Sequence, residues 1–306
     1  MNNICFIILN WNGYEKTVKC LETLFRESTD FKVYLLDNGS LWNDFDLLKK
    51  TFGNEERLQL FTSTTNLGFT GWVNLCLKEA MKVWYNWYCL YNNDAEVTPN
   101  FVQNTISIIS KIDDKIGIFG PKILFEDQKN IIQSVGGKIS LWSGICPGIG
   151  TGKKNFHETG FIKTDYVSGC CFFINHSVIK NIGLLDDRFF AYYEEVDYCI
   201  RAQNVGFRVG VLSQLEIYHD QSSSSKKYAG FSTFLMFRNR ILFLKKHANY
   251  LQFIVSFLYL ISYIPFAYIR YGKENLHFLI SGTLEWIQWK NGDPFLSHKK
   301  EFFKKI

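Results

Sequence analysis

The stretch Ile4–Gly13, ICFIILNWNG, decides the fold because it joins a buried strand to a polar turn. Residues 4–9 are apolar without interruption, which is the pattern of a strand buried on both faces. The turn contains Asn10 and Asn12, and apolar residues between Val18 and Phe25 then recur at helical spacing. The chain therefore begins with a strand, a turn and a helix, the unit from which α/β folds are built.

Further apolar segments are each followed by polar or turn-forming residues. They are Val33–Leu36, followed by DNGS at 37–40; Leu58–Phe61, followed by NLG at 66–68 and a helix to about Trp84; and Tyr88–Tyr91, followed by NND at 92–94. Alternating strands and helices predict right-handed crossovers and a mostly parallel sheet, which binds ligands at the carboxyl ends of its strands. We therefore expect one crevice lined by Asn10, Asp37, Asn66 and Asp94.

The pattern changes after residue 98. Strands separated by glycine-rich turns are predicted at Ile116–Ile123, Ser134–Trp142, Tyr166–Ile174 and Gly206–Val211. A mobile loop is predicted at Gly144–Gly152, a helix from near Asn175 to Gly183, and an acidic run lies within Phe189–Asn204. The serine run at 222–225 is a flexible boundary, so we expect one domain over 1–222 and a second region over 223–306.

The net charge of +5 is unevenly distributed. Residues 221–306 contain 13 Lys and Arg against 4 Asp and Glu, whereas the rest of the chain contains 21 against 25. A basic tail indicates contact with an anionic surface, either a membrane or a nucleic acid, or else a solvated basic face. The hydrophobic content of 47% and the charged content of 21% exclude a disordered chain.

The eight cysteines are scattered through apolar segments, and none forms a C-x-x-C pair. This spacing predicts buried free thiols in a reducing compartment and excludes a disulfide framework or a zinc site. Residues 1–10 lack a basic region followed by a long apolar run and a cleavage site. No signal peptide is therefore indicated, and we expect the protein in the cytoplasm.

Short motifs follow one another in a specific order between Ile4 and Ser222. They are ILNWN (8–12), LDNGS (36–40), NLGF (66–69) with Asn74, YNNDAE (91–96), VSG (167–169) and YEEVD (193–197). This series resembles the family-2 glycosyltransferases and is most similar to their rhamnosyltransferase-like branch. The resemblance implies a GT-A nucleotide-sugar fold, with a nucleotide-binding half at 1–97 and an acceptor-binding half at 98–222.

The nucleotide site is the first that the resemblance assigns. Asp37 can accept hydrogen bonds from a base N–H or a ribose hydroxyl, and the family uses its matching Asp for the nucleoside; a turn aspartate that stabilises its own backbone is the alternative. Asn66, Gly68 and Asn74 can supply amides and a close backbone approach to the donor, and a helix start is the alternative, which is compatible with donor binding. The remaining donor-site residues implied by the motifs are Asn10, Asn12, Asn93 and Gly169.

A metal site is predicted after the fourth strand. Asp94 and Glu96 are spaced i, i+2, which directs both carboxylates to one side of an extended segment and suits Mg²⁺ or Mn²⁺. They match the family's D-x-D motif, with Glu in place of the second Asp. The resemblance adds His219 as a ligand, and an imidazole favours Mn²⁺. A strand-end cap at Asp94 and a structural histidine are the alternatives.

The acidic run supplies the predicted base. An acceptor hydroxyl needs a base to remove its proton during attack. The family's E-D-x-D motif places the base at its second residue, which here is Glu195 beside Glu194. Asp197 would orient the acceptor or hold the loop through Arg201 at i+4. The alternative is an acidic helix start that favours the helix dipole.

Leu251–Ile269 is an uncharged run of 19 residues with Lys or Arg on both sides. Its length is borderline for a membrane span, and its flanking charges favour a segment that lies in the plane of an anionic leaflet or re-enters it. Leu276–Trp289 would complete a helical hairpin. A span, or a buried helix in a core or a homodimer interface, stays as an alternative.

These observations together predict an inverting, metal-dependent glycosyltransferase at the cytoplasmic face of a membrane, with a nucleotide-sugar partner and no nucleic acid partner. The donor would be dTDP-rhamnose or a UDP-hexose, and the acceptor a glycan or lipid-linked oligosaccharide in surface polysaccharide synthesis. A nucleotidyltransferase is one rival, although the turn at 10–13 lacks the cationic, glycine-rich phosphate loop of that class. A non-catalytic binding protein is the other.

Overall fold

The structure is a computed structural model that describes residues 4–220, 229–263 and 280–283. The chain divides into two compact units, one of residues 1–138 with 147–221 and one of residues 139–146 with 222–306. The serine run at 222–225, residues 264–273, and residues 276–279 and 284–289 of the predicted hairpin lie outside the described residues.

The first unit is built on a single sheet, whose described strands number ten. They are β1 (Ile4–Asn10), β2 (Lys32–Asp37), β3 (Leu58–Thr62), β4 (Trp87–Asn92), β5 (Ala95–Val97), β6 (Ile116–Phe125), β7 (Ile132–Ser134), β8 (Phe161–Lys163), β9 (Cys171–Asn175) and β10 (Arg208–His219). The order across the sheet is β3-β2-β1-β4-β9-β6-β10-β5, with β7 beside β6 and β8 beside β10.

Helices connect and cover these strands. They are α1 (Tyr14–Phe25), α2 (Asp44–Phe52), α3 (Gly68–Ala80), α4 (Phe101–Ile109), α5 (His176–Ile182), a 3₁₀ helix (Asp187–Phe189) and α6 (Glu194–Asn204). Side chains alternate across β1, so that Phe6 and Ile8 pack on the layer of α1 and α4, whereas Cys5 and Ile7 pack on the layer of α3 and α6. Burial on both faces explains the unbroken apolar run at the start of the chain.

The sheet is mixed, which corrects the prediction of a mostly parallel one. The β3-β2-β1-β4 half is parallel, as is the β6–β10 pair, but β9 runs antiparallel between β4 and β6. This reversal brings the residues before β9 to the edge at which β4 ends, and the amide of Asn92 donates to the carbonyl of Cys170 at 2.9 Å. The 167–169 motif therefore joins the edge that carries the other motifs.

The predicted strands near the start of the chain are confirmed, but two later ones are wrong in extent. Ser134–Trp142 is not a strand, because Gly136 turns the chain with a φ of +80° after β7. The strand predicted at Tyr166–Ile174 begins only at Cys171. In contrast, β10 continues to His219 through a bulge between Leu212 and Glu216. All eight cysteines lie among the described residues and none forms a disulfide, and each except the partly buried Cys146 is buried.

The second unit contains the helix α7 (Ala229–His247) and a further helix at residues 250–263. Asn249 and Gln252 begin this second helix with reciprocal hydrogen bonds, since the amide of each donates to the side-chain oxygen of the other at 3.0 and 2.9 Å. Within the described residues, the structure has no helix of the length and apolar character that crossing a membrane requires.

Candidate active site

Asn10 organises the edge of the sheet at the end of β1. Its side-chain amide donates to the carboxylates of Asp37 at 2.7 Å and Asp44 at 3.0 Å, and its Oδ1 accepts a hydrogen bond from the hydroxyl of Thr17 at 2.7 Å. The residue is fully buried. Asn10 therefore fixes the end of β2 and the starts of α1 and α2, because a buried amide must satisfy its hydrogen bonds within the protein.

Asp37 and Asn12 both form hydrogen bonds with the turn that follows β2. The hydroxyl of Ser40 donates to Asp37 Oδ1, and the amide of Ser40 donates to Asp37 Oδ2 at 3.2 Å. The amide of Asn12 donates to the same hydroxyl oxygen at 2.8 Å, and the side chain of Asn12 accepts from the amide of Leu41 at 2.8 Å. The turn-stabilising alternative for Asp37 is thus present in the structure, and its contact with a nucleoside stays a prediction.

The loops after β2 and β3 are also joined. Asn38 donates from Nδ2 to Asn66 Oδ1 at 3.0 Å and accepts from the amide of Leu67 at 2.8 Å. Asn66 Oδ1 also accepts from the amide of Gly68 at 2.8 Å. The structure therefore brings the loops that follow β1, β2 and β3 together through asparagine side chains.

Gly68 and Asn74 hold the segment that precedes the acidic run. Gly68 has a φ of +74°, and a Cβ there would lie 2.3 Å from the ring of Phe190. Asn74 donates from Nδ2 to the carbonyl of Leu185 at 2.9 Å and to the carboxylate of Asp187, and accepts from the amide of Leu185 at 3.0 Å. Both residues thus attach α3 to residues 185–190, and their contact with a donor stays a prediction.

Asp94 and His219 form a pair although they lie 125 residues apart in the sequence. His219 Nε2 is 3.1 Å from Asp94 Oδ1, and both side chains are nearly buried. The register of β5 and β10 explains the pairing, since Ala95 lies opposite His219. Burial alone would lower the pKa of His219, but the neighbouring Cys170 and Asp94 raise it well above the ordinary value.

A third group orients the histidine ring. His219 Nδ1 lies 2.6 Å from Gln133 Oε1, and Gln133 Nε2 donates to the carbonyl of His219 at 3.3 Å. Metal-binding histidines commonly engage their second ring nitrogen in this way. The donor set of one carboxylate and one oriented imidazole fits Mn²⁺, which would take its other ligands from diphosphate and water oxygens.

Glu96 is not brought to this pair. Lys19 Nζ lies 2.5 Å from Glu96 Oε1 and also contacts Glu126. In the part of the chain that the structure describes, no group of at least three His, Cys, Asp or Glu side chains is arranged to hold a metal. The structure therefore assembles two of the three predicted metal ligands, Asp94 and His219, and pairs the third with a lysine of α1.

The loop between β4 and β5 is packed against the first turn of α1. Asn93 Nδ2 donates to the hydroxyl of Thr17 at 2.7 Å, and a Cβ at Gly13 would come within 2.9 Å of that same amide nitrogen. Lys16 forms an ion pair of 2.7 Å with Asp220, the residue after His219. These contacts place Asn93 and Lys16 around the Asp94–His219 pair.

Residues 169 and 170 connect this pair to the acidic run. A Cβ at Gly169 would lie 3.9 Å from Cβ of Glu195, and the thiol of the next residue, Cys170, interacts with the ring of His219. Burial raises the pKa of that thiol, and His219 opposes the rise. The candidate metal ligands and the candidate base thus flank one short stretch of backbone.

The acidic run begins α6 in an unusual local setting. Phe190, Tyr192 and Tyr193 all have positive φ values, of 62°, 69° and 71°. Such strain in side-chain-bearing residues occurs mainly at functional sites. Oε2 of Glu194 and Oε2 of Glu195 are buried, and neither oxygen has a hydrogen-bond partner.

The environment of the two glutamates sets their pKa values. Burial raises the pKa of both carboxyls, and the charge of Glu195 raises that of Glu194 further. Backbone amides at the start of α6 partly oppose the rise at Glu195. Burial and the neighbouring charge thus favour the protonated form of Glu194, and the backbone amides that favour the charged form make Glu195 the candidate for an ionised base.

Asp197 has a structural partner, as predicted. Its Oδ2 accepts from Arg201 Nε at 2.8 Å, and the same guanidinium donates to the carbonyls of Ile182 and Leu184 at 2.8 and 2.9 Å. The Asp197 side chain is fully buried. This ion pair fixes α6 against the end of α5, and it thereby positions Glu195, which lies two residues before Asp197 in the same helix.

Sequence reasoning misses Gln133, Lys19 and Cys170. Gln133 lies in an unremarked three-residue strand, 86 residues from the histidine that it contacts. The sequence alone indicates only that Lys19 is a cation on the exposed side of α1 and that Cys170 is a buried thiol. No local pattern marks any of the three, because each acquires its role from the register of a distant strand or loop.

Residues 5–183 match the family described as Glycosyl transferase family 2. The low-salt glycan biosynthesis hexosyltransferase Agl10 of Haloferax volcanii is 22% identical over 303 residues, which cover 96% of this chain and 94% of that protein. The dTDP-rhamnosyl transferase RfbF of Shigella flexneri is 20% identical over 259 residues, which cover 80% and 81%.

Solved structures show the same fold. TarS residues 1–349 of S. aureus, in complex with UDP-GlcNAc, aligns with a TM-score of 0.60 at 14% identity, covering 94% of this chain and 81% of TarS 1–349. The mannosyltransferase PcManGT of Pyrobaculum calidifontis, in complex with GDP-Man and Mn²⁺, aligns with a TM-score of 0.59 at 9% identity, covering 94% and 88%.

Proposed function

This chain belongs to glycosyl transferase family 2, and from that premise we propose that it is a metal-dependent, inverting transferase acting on a nucleoside-diphosphate sugar. One observation carries the proposal. The Asp94–His219 pair and Glu195, whose buried Oε2 has no hydrogen-bond partner, flank the same two residues, 169 and 170. A leaving-group site and a base are thus available side by side.

The donor is held at the edge formed by β1, β2 and β3. Asp37 is nine-tenths buried or more, and its turn is braced by Asn10 and Ser40, so its carboxylate is fixed in position to accept from a nucleoside hydroxyl or N–H. Asn66 and Asn12 stiffen the neighbouring loops. This support favours binding of a preorganised kind, in which little side-chain freedom is lost.

Asp94 and His219 would hold the divalent cation. When bound, Mn²⁺ or Mg²⁺ neutralises the charge that develops on the diphosphate leaving group. Gln133 keeps the ring of His219 in one orientation, and Lys19 keeps Glu96 paired outside the ligand set. Lys16, paired with Asp220 beside His219, adds a positive charge near the place where the diphosphate would lie.

Glu195 is the proposed base. Its enclosed carboxylate accepts the proton of the acceptor hydroxyl as the oxygen attacks the anomeric carbon on the face opposite the leaving group. One displacement with one base inverts the anomeric centre. Glu194 remains protonated beside it, and Asp197 positions the helix through Arg201.

The donor is proposed to be dTDP-rhamnose or a UDP-hexose, and the acceptor a hydroxyl of a lipid-linked glycan at the cytoplasmic face of a membrane. The names of the relatives RfbF, a dTDP-rhamnosyl transferase, and Agl10, a hexosyltransferase of glycan biosynthesis, support this choice. Nucleotide sugars are cytoplasmic, which favours that side of the membrane.

The test is a panel of dTDP-rhamnose, UDP-hexoses and GDP-mannose with Mn²⁺ or Mg²⁺, scored for released nucleoside diphosphate with a sugar or water as acceptor. We expect release with one donor class, loss of release with chelator, and a product whose anomeric configuration by NMR is the opposite of the donor's. Release of pyrophosphate from a nucleoside triphosphate and a sugar phosphate would instead identify a nucleotidyltransferase. Donor binding without turnover would identify a binding protein.

A further inference from the structure

The helix at residues 250–263 has an apolar exposed side. Tyr250, Leu251 and Leu258 are 83%, 59% and 59% exposed. The other large apolar side chains exposed along this helix are Ile254, Val255, Tyr259 and Ile261. Since these positions recur on one half of a helix, they form a continuous apolar stripe. A surface helix ordinarily presents charged and polar residues to water, whereas the solvent-facing side of this helix is apolar.

The opposite side of the helix is already packed. Ser256 is fully buried and donates to the carbonyl of Leu141 at 2.7 Å, and Leu260 is also buried. Ser256 and Leu141 both belong to the second compact unit. The apolar stripe is therefore not a core face turned outward, because the helix has a separate buried face with its own contacts.

The charge of the surrounding chain indicates what covers the stripe. Residues 229–263 contain no Asp or Glu, and since Arg238 and Arg240 are buried, the positive charges near the surface are those of Lys245 and Lys246. Lys245 is exposed at the end of α7, shortly before the helix begins. An anionic bilayer surface supplies the negative charge and the apolar layer that match this combination, and tyrosine rings such as Tyr250 and Tyr259 favour its interface.

We propose that the helix at 250–263 lies in the plane of an anionic membrane, with the stripe of Leu251, Ile254 and Leu258 inserted below the headgroups and Lys245 and Lys246 at the headgroups. One side of the helix packs within the second unit and only the other side is apolar and exposed, so we place it along the membrane surface. The sequence predicts membrane contact for 251–269, and this proposal assigns that contact to one face of the described residues 250–263. This proposal is independent of the transferase reaction.

The test is flotation of the full chain with vesicles of phosphatidylcholine alone or with 30% phosphatidylglycerol, without donor or metal. We expect binding to the anionic vesicles, weakened by salt. Leu251→Gln with Leu258→Gln should lower the partition coefficient by roughly tenfold or more for each leucine. Lys245→Gln with Lys246→Gln should lower it roughly fivefold for each lysine, only on anionic vesicles.

Val83→Gln with Val205→Gln is the matched control, because both valines are more than half exposed in the first unit. It should bind as the unmodified chain does. Hydrogen exchange of the unmodified chain provides a second measurement that needs no folded variant, and amides of 250–263 should exchange more slowly with anionic vesicles.

Three results would overturn the proposal. They are absence of vesicle binding, equal loss of binding in the control, and a dimer in sedimentation that dissociates in the leucine variant. The last would show that a second copy covers the stripe. Because none of these measurements uses a sugar donor, failure here leaves the proposed reaction untouched, and an inactive enzyme leaves this proposal untouched.

Discussion

His219 Nδ1 and Gln133 Oε1 lie 2.6 Å apart, and Gln133 Nε2 donates back to the carbonyl of His219. Because the amide nitrogen of Gln133 is committed to a carbonyl, its Oε1 must accept, so Nδ1 of the imidazole carries the hydrogen. Nε2 lies 3.1 Å from Asp94 Oδ1, so its N–H donates to that carboxylate in the structure, and a bound cation would take the place of this hydrogen. Gln133 is thus a positioning residue for a candidate metal ligand.

Replacing Gln133 with Leu is expected to weaken Mn²⁺ binding roughly 10- to 100-fold, because the imidazole loses the partner that sets its tautomer and orientation. The measurement is electron paramagnetic resonance of free Mn²⁺ titrated into the protein with dTDP or UDP. Gln128→Leu is the control, since Gln128 is exposed in the loop just before β7. Equal affinities for the Gln133 variant and the unmodified protein would contradict this role.

Asp94 and Glu96 are expected to differ as metal ligands, although the sequence motif pairs them. Asp94→Asn should weaken Mn²⁺ binding roughly 10²-fold or more, because it removes the carboxylate that faces His219. Glu96→Gln should change it less than about threefold, because Glu96 is half-buried and pairs with the exposed Lys19 and not with His219, and a partly exposed pair contributes little. Calorimetric titration in the presence of nucleoside diphosphate measures both. A large effect at Glu96 would show that donor binding draws it away from Lys19.

The sequence predicts the first half of the fold well for a physical reason. Ile4–Leu9 and Tyr88–Tyr91 are buried on both faces, and such strands are marked by unbroken apolar runs. The later half departs from prediction because its signals are non-local. The strand predicted at Ser134–Trp142 ends at Ser134, because Gly136 turns the chain with a φ of +80° and packs against the distant Thr164.

The residues of the candidate site also differ in how well the sequence predicts them. Asp94 and His219 are assigned from motif order, and the structure brings them together. Asn10, Asn74 and Gly68 are assigned to the donor, yet their contacts are with other protein groups. An asparagine in a loop motif has the same pattern whether it binds a ligand or braces a turn. Only the positions of its partners distinguish the two, and those depend on tertiary structure.

Glu195→Gln is expected to lower the transfer rate roughly 10²- to 10⁴-fold while donor binding survives, because an amide cannot accept the acceptor's proton. Glu194→Gln should retain most activity, since Glu194 is already neutral beside its partner. The raised pKa of Glu195 also places the acidic limb of the rate profile above the ordinary glutamate value of 4.5. Initial rates from pH 4 to 9 test both expectations. Near-normal turnover in Glu195→Gln would remove it from the role of base.

Glu194 should also make folding pH-dependent in a defined direction. Burial raises its folded-state pKa, so above about 4.5 the unfolded chain loses a proton that the folded chain keeps. The stabilising contribution is therefore complete below 4.5 and is lost as pH rises through the folded pKa. Glu194→Gln lacks this loss, so its free energy of unfolding relative to that of the unmodified protein should grow as pH rises. Urea unfolding at pH 5 and pH 8 measures the difference, and a gap that does not change with pH would contradict the protonated assignment.

Gly68 is expected to be required for the shape of the site. An alanine there would place its Cβ 2.3 Å from the ring of Phe190 and would also adopt a φ of +74°. Phe190 itself has a φ of 62° and precedes the acidic run, so its displacement moves Glu195. Gly68→Ala should destabilise the fold by about 1–3 kcal/mol and lower turnover more than donor affinity. Gly152→Ala separates the two causes, because Gly152 has a φ of +78° with no atom within 4 Å of the added carbon. If both variants lose the same stability and Gly68→Ala keeps full turnover, backbone conformation alone accounts for Gly68, and the contact with Phe190 does not position the base.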